Sequence, residues 1–282
     1  MSHKSAPLIS IIVAVFNGSK TLQQCIDSVA QQTYPNKELI IIDGGSKDGT
    51  VNILKANNEQ IDYYVSEPDQ GIYNAWNKAL AKAKGEWICF LGADDFFWDL
   101  QALERMSEQL EKQSSAVRVV YGQIMLLNED GKSLYVVGES WQKIKARFKQ
   151  ISTLPHPGAM HHRSLFEQHG RFDESFRIAG DYELLLRELK TADAVFIPDL
   201  ITAGMRQGGM STHPANSLLA MQELRRAQRM HGLFLPGWLW LAAMARVHLR
   251  LLLYCLFEEK SANKVLDLFR RMVGLPPYWT KI

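Results

Sequence analysis

The chain is 282 residues long, 46% hydrophobic and 22% charged, with a net charge of +2, the profile of an ordinary globular enzyme of one large or two modest domains. Its three cysteines, Cys25, Cys89 and Cys255, are odd in number and far apart, which excludes a readable disulfide framework or cysteine metal site and favours a reducing compartment. The charge is uneven: residues 221–282 carry ten Lys/Arg against four acids, a surplus of +6, and residues 1–220 carry −4. Such a tail either faces an anionic surface or is a solvated basic helix face.

The opening "MSHKSAPLISIIVAVFNG" sets a lysine before an apolar run, as a signal peptide does. The run is short, rich in Ile and Val, and stops at Asn17-Gly18 without a small-residue cleavage pattern, so it reads as a first strand (8–15) of a cytoplasmic protein. Leu22, Ile26 and Val29 then fall at helical spacing. "ELIIID" (38–43) is a second buried strand, closed by "GGSKDGT", with a helix from about Thr50. "IDYYVSE" (61–67) is a third strand, "IYNAWNKALAKAKG" a helix stopped by Gly85, and "EWICFLG" a fourth strand. Alternation of this kind predicts a mostly parallel sheet with right-handed crossovers, which binds ligands at the carboxyl ends of its strands.

Asp43, Asp69 and the pair Asp94/Asp95 all follow strand ends. In a parallel sheet they meet on one rim, where carboxylates repel unless a hard cation joins them. Asp48 and Asp99 read better as caps or turn formers. Further on, "VRVVYGQIMLLNEDGKSLYVV" (117–137) predicts two strands around a turn at 129–131. "LPHPGAMHHRSLFEQHGRFDESF" passes from a Pro-rich loop into a short helix, "IAGDYELLLRELK" is a helix opening at Gly180-Asp181, and "AVFIPDLITAG" is a strand before the Gly-rich "RQGGMSTHPAN".

In their order and spacing, "ISIIVAVFNG", "IIIDGGSKDGT", "FLGADDFF" and "AGDYELLLR" resemble family 2 glycosyltransferases over roughly the first 215 residues. The resemblance implies the GT-A fold, an α/β architecture with a Rossmann-like, mostly parallel sheet flanked by helices. It implies a nucleotide-binding half over about 1–100, an acceptor half over about 101–215, and a separate helical tail over 216–282. It puts Phe16, Asn17 and Asp43 at the nucleotide, and Asp69, Gly71 and Asn77 in the nucleotide-sugar pocket. Asp94 and Asp95 would hold a divalent metal, Mn²⁺ or Mg²⁺, and Asp181 would be the catalytic base. "PDQGIY" resembles a branch active in bacterial surface-polysaccharide synthesis. Two positions depart from the pattern: Gly92 stands where many relatives have the first Asp of the metal motif, and Trp76 where many have Arg.

The expected chemistry is inverting transfer of a sugar from a nucleotide donor, a UDP-sugar, to a hydroxyl of a saccharide acceptor. An N-cap is the competing role for Asp181. His156 is the histidine expected to face donor or acceptor, His161 and His162 are expected to be structural, and His213 is a third metal ligand or a lid contact. From Phe234 the tail is strongly apolar, but Arg246, His248 and Arg250 interrupt it, leaving no uninterrupted run of the ~18–20 apolar residues that spanning requires. Trp238, Trp240 and Tyr254, with Arg270 and Arg271 downstream, suggest helices lying on the inner membrane surface. A packed helical pair or a homodimer interface is the alternative. A lipid-linked acceptor suits the membrane reading, and no nucleic-acid partner is expected. The competing functions are a sugar nucleotidyltransferase, which lacks its glycine-rich basic loop here, and a non-catalytic sugar-nucleotide-binding or scaffolding subunit.

Overall fold

The computed structural model describes residues 6–114, 116–128, 130–209 and 216–272, together with 274 and 280. The four apolar runs form β1 (Ile9–Val15), β2 (Lys37–Asp43), β3 (Tyr63–Ser66) and β4 (Trp87–Gly92). β1 pairs in parallel with β2 and β4, and β2 with β3. The crossovers that parallel pairing requires are α1 (Leu22–Ala30), α2 (Thr50–Ala56) and α3 (Ile72–Leu80). Strand alternation divides the apolar side chains between two cores. Ile12, Ile40, Ile42 and Phe90 pack on one face of the sheet, and Ile11, Val13, Ile41 and Leu91 on the other, so these strands read as continuous apolar runs.

Past β4 the sheet becomes mixed. β5 (Phe96–Phe97) and α4 (Ala102–Leu110) precede the hairpin of β6 (Val119–Leu127) and β7 (Ser133–Val137). Next come α5 (Trp141–Phe148), β8 (Met160–His162), α6 (Arg163–His169), α7 (Gly180–Leu189) and β9 (Val195–Arg206). The strand order is β3-β2-β1-β4-β8-β6-β9-β5, with β7 on β6. The short β8 runs antiparallel to both β4 and β6, and so joins the two halves into one sheet.

Gly85 does not stop a helix. α3 ends at Leu80, and Gly85 sits where the chain crosses β1: its N–H donates to Ser10 Oγ at 2.8 Å. A Cβ there would lie 2.6 Å from the Ser10 nitrogen, so close approach is what glycine provides.

The tail folds as α8 (Ser217–Met230), α9 (Trp238–Leu256) and α10 (Glu259–Met272). Met221, Leu224 and Ala227 of α8 belong to the same core as α7. α9 lies on α8, its Trp240 Nε1 donating to Met221 O at 2.9 Å, while Trp238, Leu241, Leu249, Leu252 and Leu256 are exposed. By length and composition this 19-residue helix is long and apolar enough to cross a membrane, its Arg246 and Arg250 included. Of the residues that interrupt the apolar run, Arg250 is buried and bonded to Ser217 Oγ, whereas Arg246 and His248 are exposed.

Candidate active site

The parallel register brings the carboxyl ends of β1–β4 to one edge. Asp43 ends β2 fully buried. It accepts the Ser46 N–H at 3.0 Å, the Ser66 hydroxyl at 2.6 Å, and the Ser46 hydroxyl. Ser46 Oγ in turn accepts the Asn17 N–H at 2.6 Å, and Asn17 Oδ1 accepts the Lys47 N–H at 3.1 Å. Asn17 has φ +52°, a left-handed conformation that asparagine tolerates better than most residues. Phe16 is 67% exposed, an unusual position for a phenyl ring and a ready stacking face for a base. Gly44 keeps the edge open: a Cβ there would lie 2.7 Å from Asp69 Oδ2 and 3.3 Å from the Phe16 ring. Asp69 Oδ1 accepts the Gly71 N–H at 2.9 Å, and Gly71, at φ +119°, leads into α3.

Asn77, on α3, is buried and engaged by the chain itself. Its amide donates to Phe172 O at 2.9 Å and Glu174 Oε1 at 2.8 Å, and accepts the Phe172 N–H at 3.1 Å. With donors and acceptor engaged, it fixes the 172–174 loop on α3.

Beside the edge opens a cleft of about 440 Å³ whose walls include Trp76, Asp94, Asp95, His156, Arg177, Asp181 and Arg206. Asp95 is buried and accepts the N–H groups of Gly92 at 3.1 Å and Arg206 at 3.3 Å. Asp94 lies against Gly209, where a Cβ would come within 2.9 Å of its Oδ2. Gly92 has a local role: a Cβ there would stand 2.6 Å from Asp94 Oδ1 and 2.9 Å from Asp95 Oδ2. Its bareness lets both carboxylates fold back over the end of β4. Both sit above the ordinary carboxylate range, Asp95 through burial and then the neighbouring Asp94 charge, Asp94 through burial. Two like charges held together in a poor solvent fit a hard divalent cation, which removes the repulsion and replaces lost hydration. Among the described residues no set of three or more metal-ligating side chains gathers, so diphosphate oxygens and water would complete such a shell. His213 lies outside the described residues.

Asp181 faces the same cleft from the first turn of α7. It is not the helix cap. Ala179 holds the N-cap position, and the carboxylate of Glu223, on α8, accepts the N–H groups of Arg177, Ile178 and Ala179 at 2.8, 2.8 and 2.9 Å. Among the described residues Asp181 has one side-chain hydrogen-bond partner: the Tyr73 hydroxyl, 3.2 Å from Oδ1 and 2.6 Å from Ile178 O. Burial pushes its carboxyl up to about 6, where a carboxylate is still ionised at neutral pH and a better proton acceptor than an ordinary aspartate. A Cβ on Gly180 would meet the Tyr73 ring at 2.8 Å, which explains the glycine before Asp181.

His156 is stacked on Trp76 and Phe90 at ring separations of 5.3 and 5.5 Å. Burial pushes it down to about 4, so it is neutral, and its Nε2 has no hydrogen-bond partner among the described residues. His161 is fully buried with Nδ1 3.2 Å from Ile88 O, and the His162 side chain accepts the Ser164 N–H at the start of α6. Tyr73, Arg177, Arg206 and Glu223 were not singled out in the sequence. Tyr73 stands at the end of the quoted "PDQGIY"; Glu223 has no local signal.

Residues 10–170 match the profile of glycosyl transferase family 2. An uncharacterized glycosyltransferase of Rickettsia typhi is 29% identical over 225 residues, 77% of this chain and 70% of that protein. A PGL/p-HBAD biosynthesis glycosyltransferase of Mycobacterium tuberculosis is 30% identical over 186 residues, 65% of this chain and 70% of that protein. Among solved structures, S. aureus TarS with UDP-GlcNAc superposes with a TM-score of 0.61 at 16% identity, covering 85% of this chain and 71% of that one. A Pyrobaculum calidifontis mannosyltransferase with GDP-Man and Mn²⁺ reaches 0.63 at 18% identity, covering 98% and 84%. At such identities these two structures speak for the fold alone, which is GT-A. With the family profile matched over more than half its length, the chain belongs to glycosyl transferase family 2.

Proposed function

We propose that the protein is an inverting, metal-dependent glycosyltransferase that moves a hexosyl-type sugar from a UDP-sugar to a hydroxyl of a lipid-linked saccharide at the inner membrane surface, in cell-surface polysaccharide synthesis. The carrying observation is that Asp94, Asp95 and Asp181 line one cleft, beside an edge with the exposed Phe16 ring and the buried Asp43 carboxylate. Phe16, Asn17 and Asp43 would take the base, and Asp69 and Gly71 would border the donor. Asp94, supported by Asp95, would hold Mn²⁺ or Mg²⁺; when bound, the cation supplies countercharge for the leaving diphosphate. Asp181 accepts the proton of the acceptor hydroxyl as its oxygen bonds to the anomeric carbon. The bond to the diphosphate breaks on the opposite face, so one displacement inverts that centre. Tyr73 orients the carboxylate, and neutral His156 offers a hydrogen bond to donor or acceptor.

The exposed apolar face of α9 and the +6 balance of residues 221–282 support attachment to an anionic membrane surface. Calorimetric titration with UDP and GDP, each with and without Mn²⁺, tests the donor. UDP should bind tighter, and only with metal; a preference for GDP would overturn the uridine assignment. In flotation, anionic liposomes should retain more protein than neutral ones, less so at high salt. Protein that ignores both would make α9 a packing or homodimer face.

A further inference from the structure

An open groove of about 890 Å³ lies between α5 and the turn from α8 to α9. Ala146, Lys149 and Gln150 line one side of it, and Leu233, Phe234 and Leu235 the other. Phe234 and Leu235 are 75% and 86% exposed, yet their backbone is anchored from below. Buried Arg225 donates to Leu233 O at 2.7 Å and also bonds Phe234 O. Gln228 donates to Gln150 O at 2.7 Å, and Gln150 Oε1 accepts the Leu239 N–H at 3.1 Å, tying the facing wall to the start of α9. Two large apolar side chains are thus held in water by a fixed frame, the mark of a surface that something else covers.

What covers it follows from the groove's neighbours. Gln150 lines the groove and Ser152, two residues on, begins the 152–157 stretch that lines the acidic cleft, so one short stretch of chain leads from the groove to the cleft. Gly237 also lines the groove, one residue before the exposed Trp238 that opens α9. Lys149 on its rim has no carboxylate partner among the described residues, whereas Lys145 is paired with Asp193. A hydrocarbon chain suits the apolar wall and a phosphate suits the lysine. We infer that this groove takes the lipid of the acceptor: the chain lies on Phe234 and Leu235, its phosphate meets Lys149, and its saccharide end reaches the cleft beneath Asp181. The inference rests on the lipid-linked acceptor proposed above.

The test is photolabelling of the full chain with farnesyl diphosphate carrying a diazirine at its hydrocarbon end. It is done without divalent metal, so that the diphosphate is not drawn to Asp94 and Asp95. Label should fall on peptides from 142–150 and 232–237, be displaced by unlabelled farnesyl diphosphate, and drop at least fivefold in Lys149→Glu and in Leu235→Asp. These substitutions sit on the surface, and unchanged Mn²⁺-dependent UDP binding would show that the variants remain folded. Label confined to the exposed faces of α9 and α10, or unaffected by both variants, would overturn the groove while leaving donor binding intact. Groove labelling in a protein that ignores UDP would uphold the groove and remove the donor reading instead.

Discussion

The loops after β2 and β4 leave strands that flank β1 on either side, and each carries an aspartate at or just beyond the strand end. Their surroundings are opposite. Asp43 accepts three hydrogen bonds from two serines, and with them it holds the loop that fixes Asn17. Asp94 and Asp95 share their space with each other and are pushed above the ordinary range by burial. The same contrast recurs along α7. Glu188, buried, is bonded to Arg118 at 2.9 Å and His169 at 2.6 Å, whereas Asp181 in the first turn has, among the described residues, one side-chain hydrogen-bond partner, the Tyr73 hydroxyl, beside backbone N–H groups. A buried carboxylate met by several side-chain donors builds structure; one with few of them is poised for a cation or a proton.

The contrast breaks most visibly at Asp94. Asp94→Ala should abolish transfer and weaken metal-dependent UDP binding while the protein stays folded; full activity of that variant in EDTA would remove the metal from the mechanism. Asp43→Ala should act through structure as well as binding. Leaving the Ser46 N–H and the Ser66 hydroxyl without their acceptor should cost about 2–3 kcal/mol of stability, along with UDP affinity. An unchanged denaturation midpoint would mean that Asp43 does not anchor its loop. Asp181→Asn sharpens the comparison from the other side. Its carboxyl is raised to about 6 in the folded protein, above its unfolded value, so its contribution is fully present below the ordinary carboxylate range and lost as pH rises through about 6. At pH 8 the Asn variant should therefore be more stable than wild type by about 1–3 kcal/mol, with the gap closing below pH 4. Equal stability at both pH values would argue that the carboxylate is solvated or paired after all.

The first half of the fold was legible because continuous apolar runs, bounded by Asn-Gly and Gly-Gly turns, cannot be much besides buried strands. The second half was less so. β8, Met160–His162, spans three residues, too few to display a period, yet it joins the two parts of the sheet. α5 leaves little trace in the sequence, because "WQKIKARF" buries only Trp141, Ile144 and Phe148. Asp94, Asp95 and Asp181 could be singled out because strand ends and helix starts mark them. Their environment could not be read, since it is assembled from afar: Tyr73 reaches Asp181 across 108 positions, and Glu223, on α8, holds the backbone that enters α7. Asn77 shows the converse, a polar residue at a suggestive position whose amide turns out to be engaged by Phe172 and Glu174.

The most direct measurement of the whole arrangement is kcat against pH for wild type and Asp181→Asn at saturating donor and metal. Wild-type kcat should fall as pH drops below about 6, where the carboxyl takes up the proton it must otherwise accept from substrate. Asp181→Asn, folded and binding UDP with unchanged affinity, should be ~10²–10⁴ slower and lack that inflection. A variant within a few-fold of wild type that keeps the inflection would contradict the assignment of Asp181 as the base.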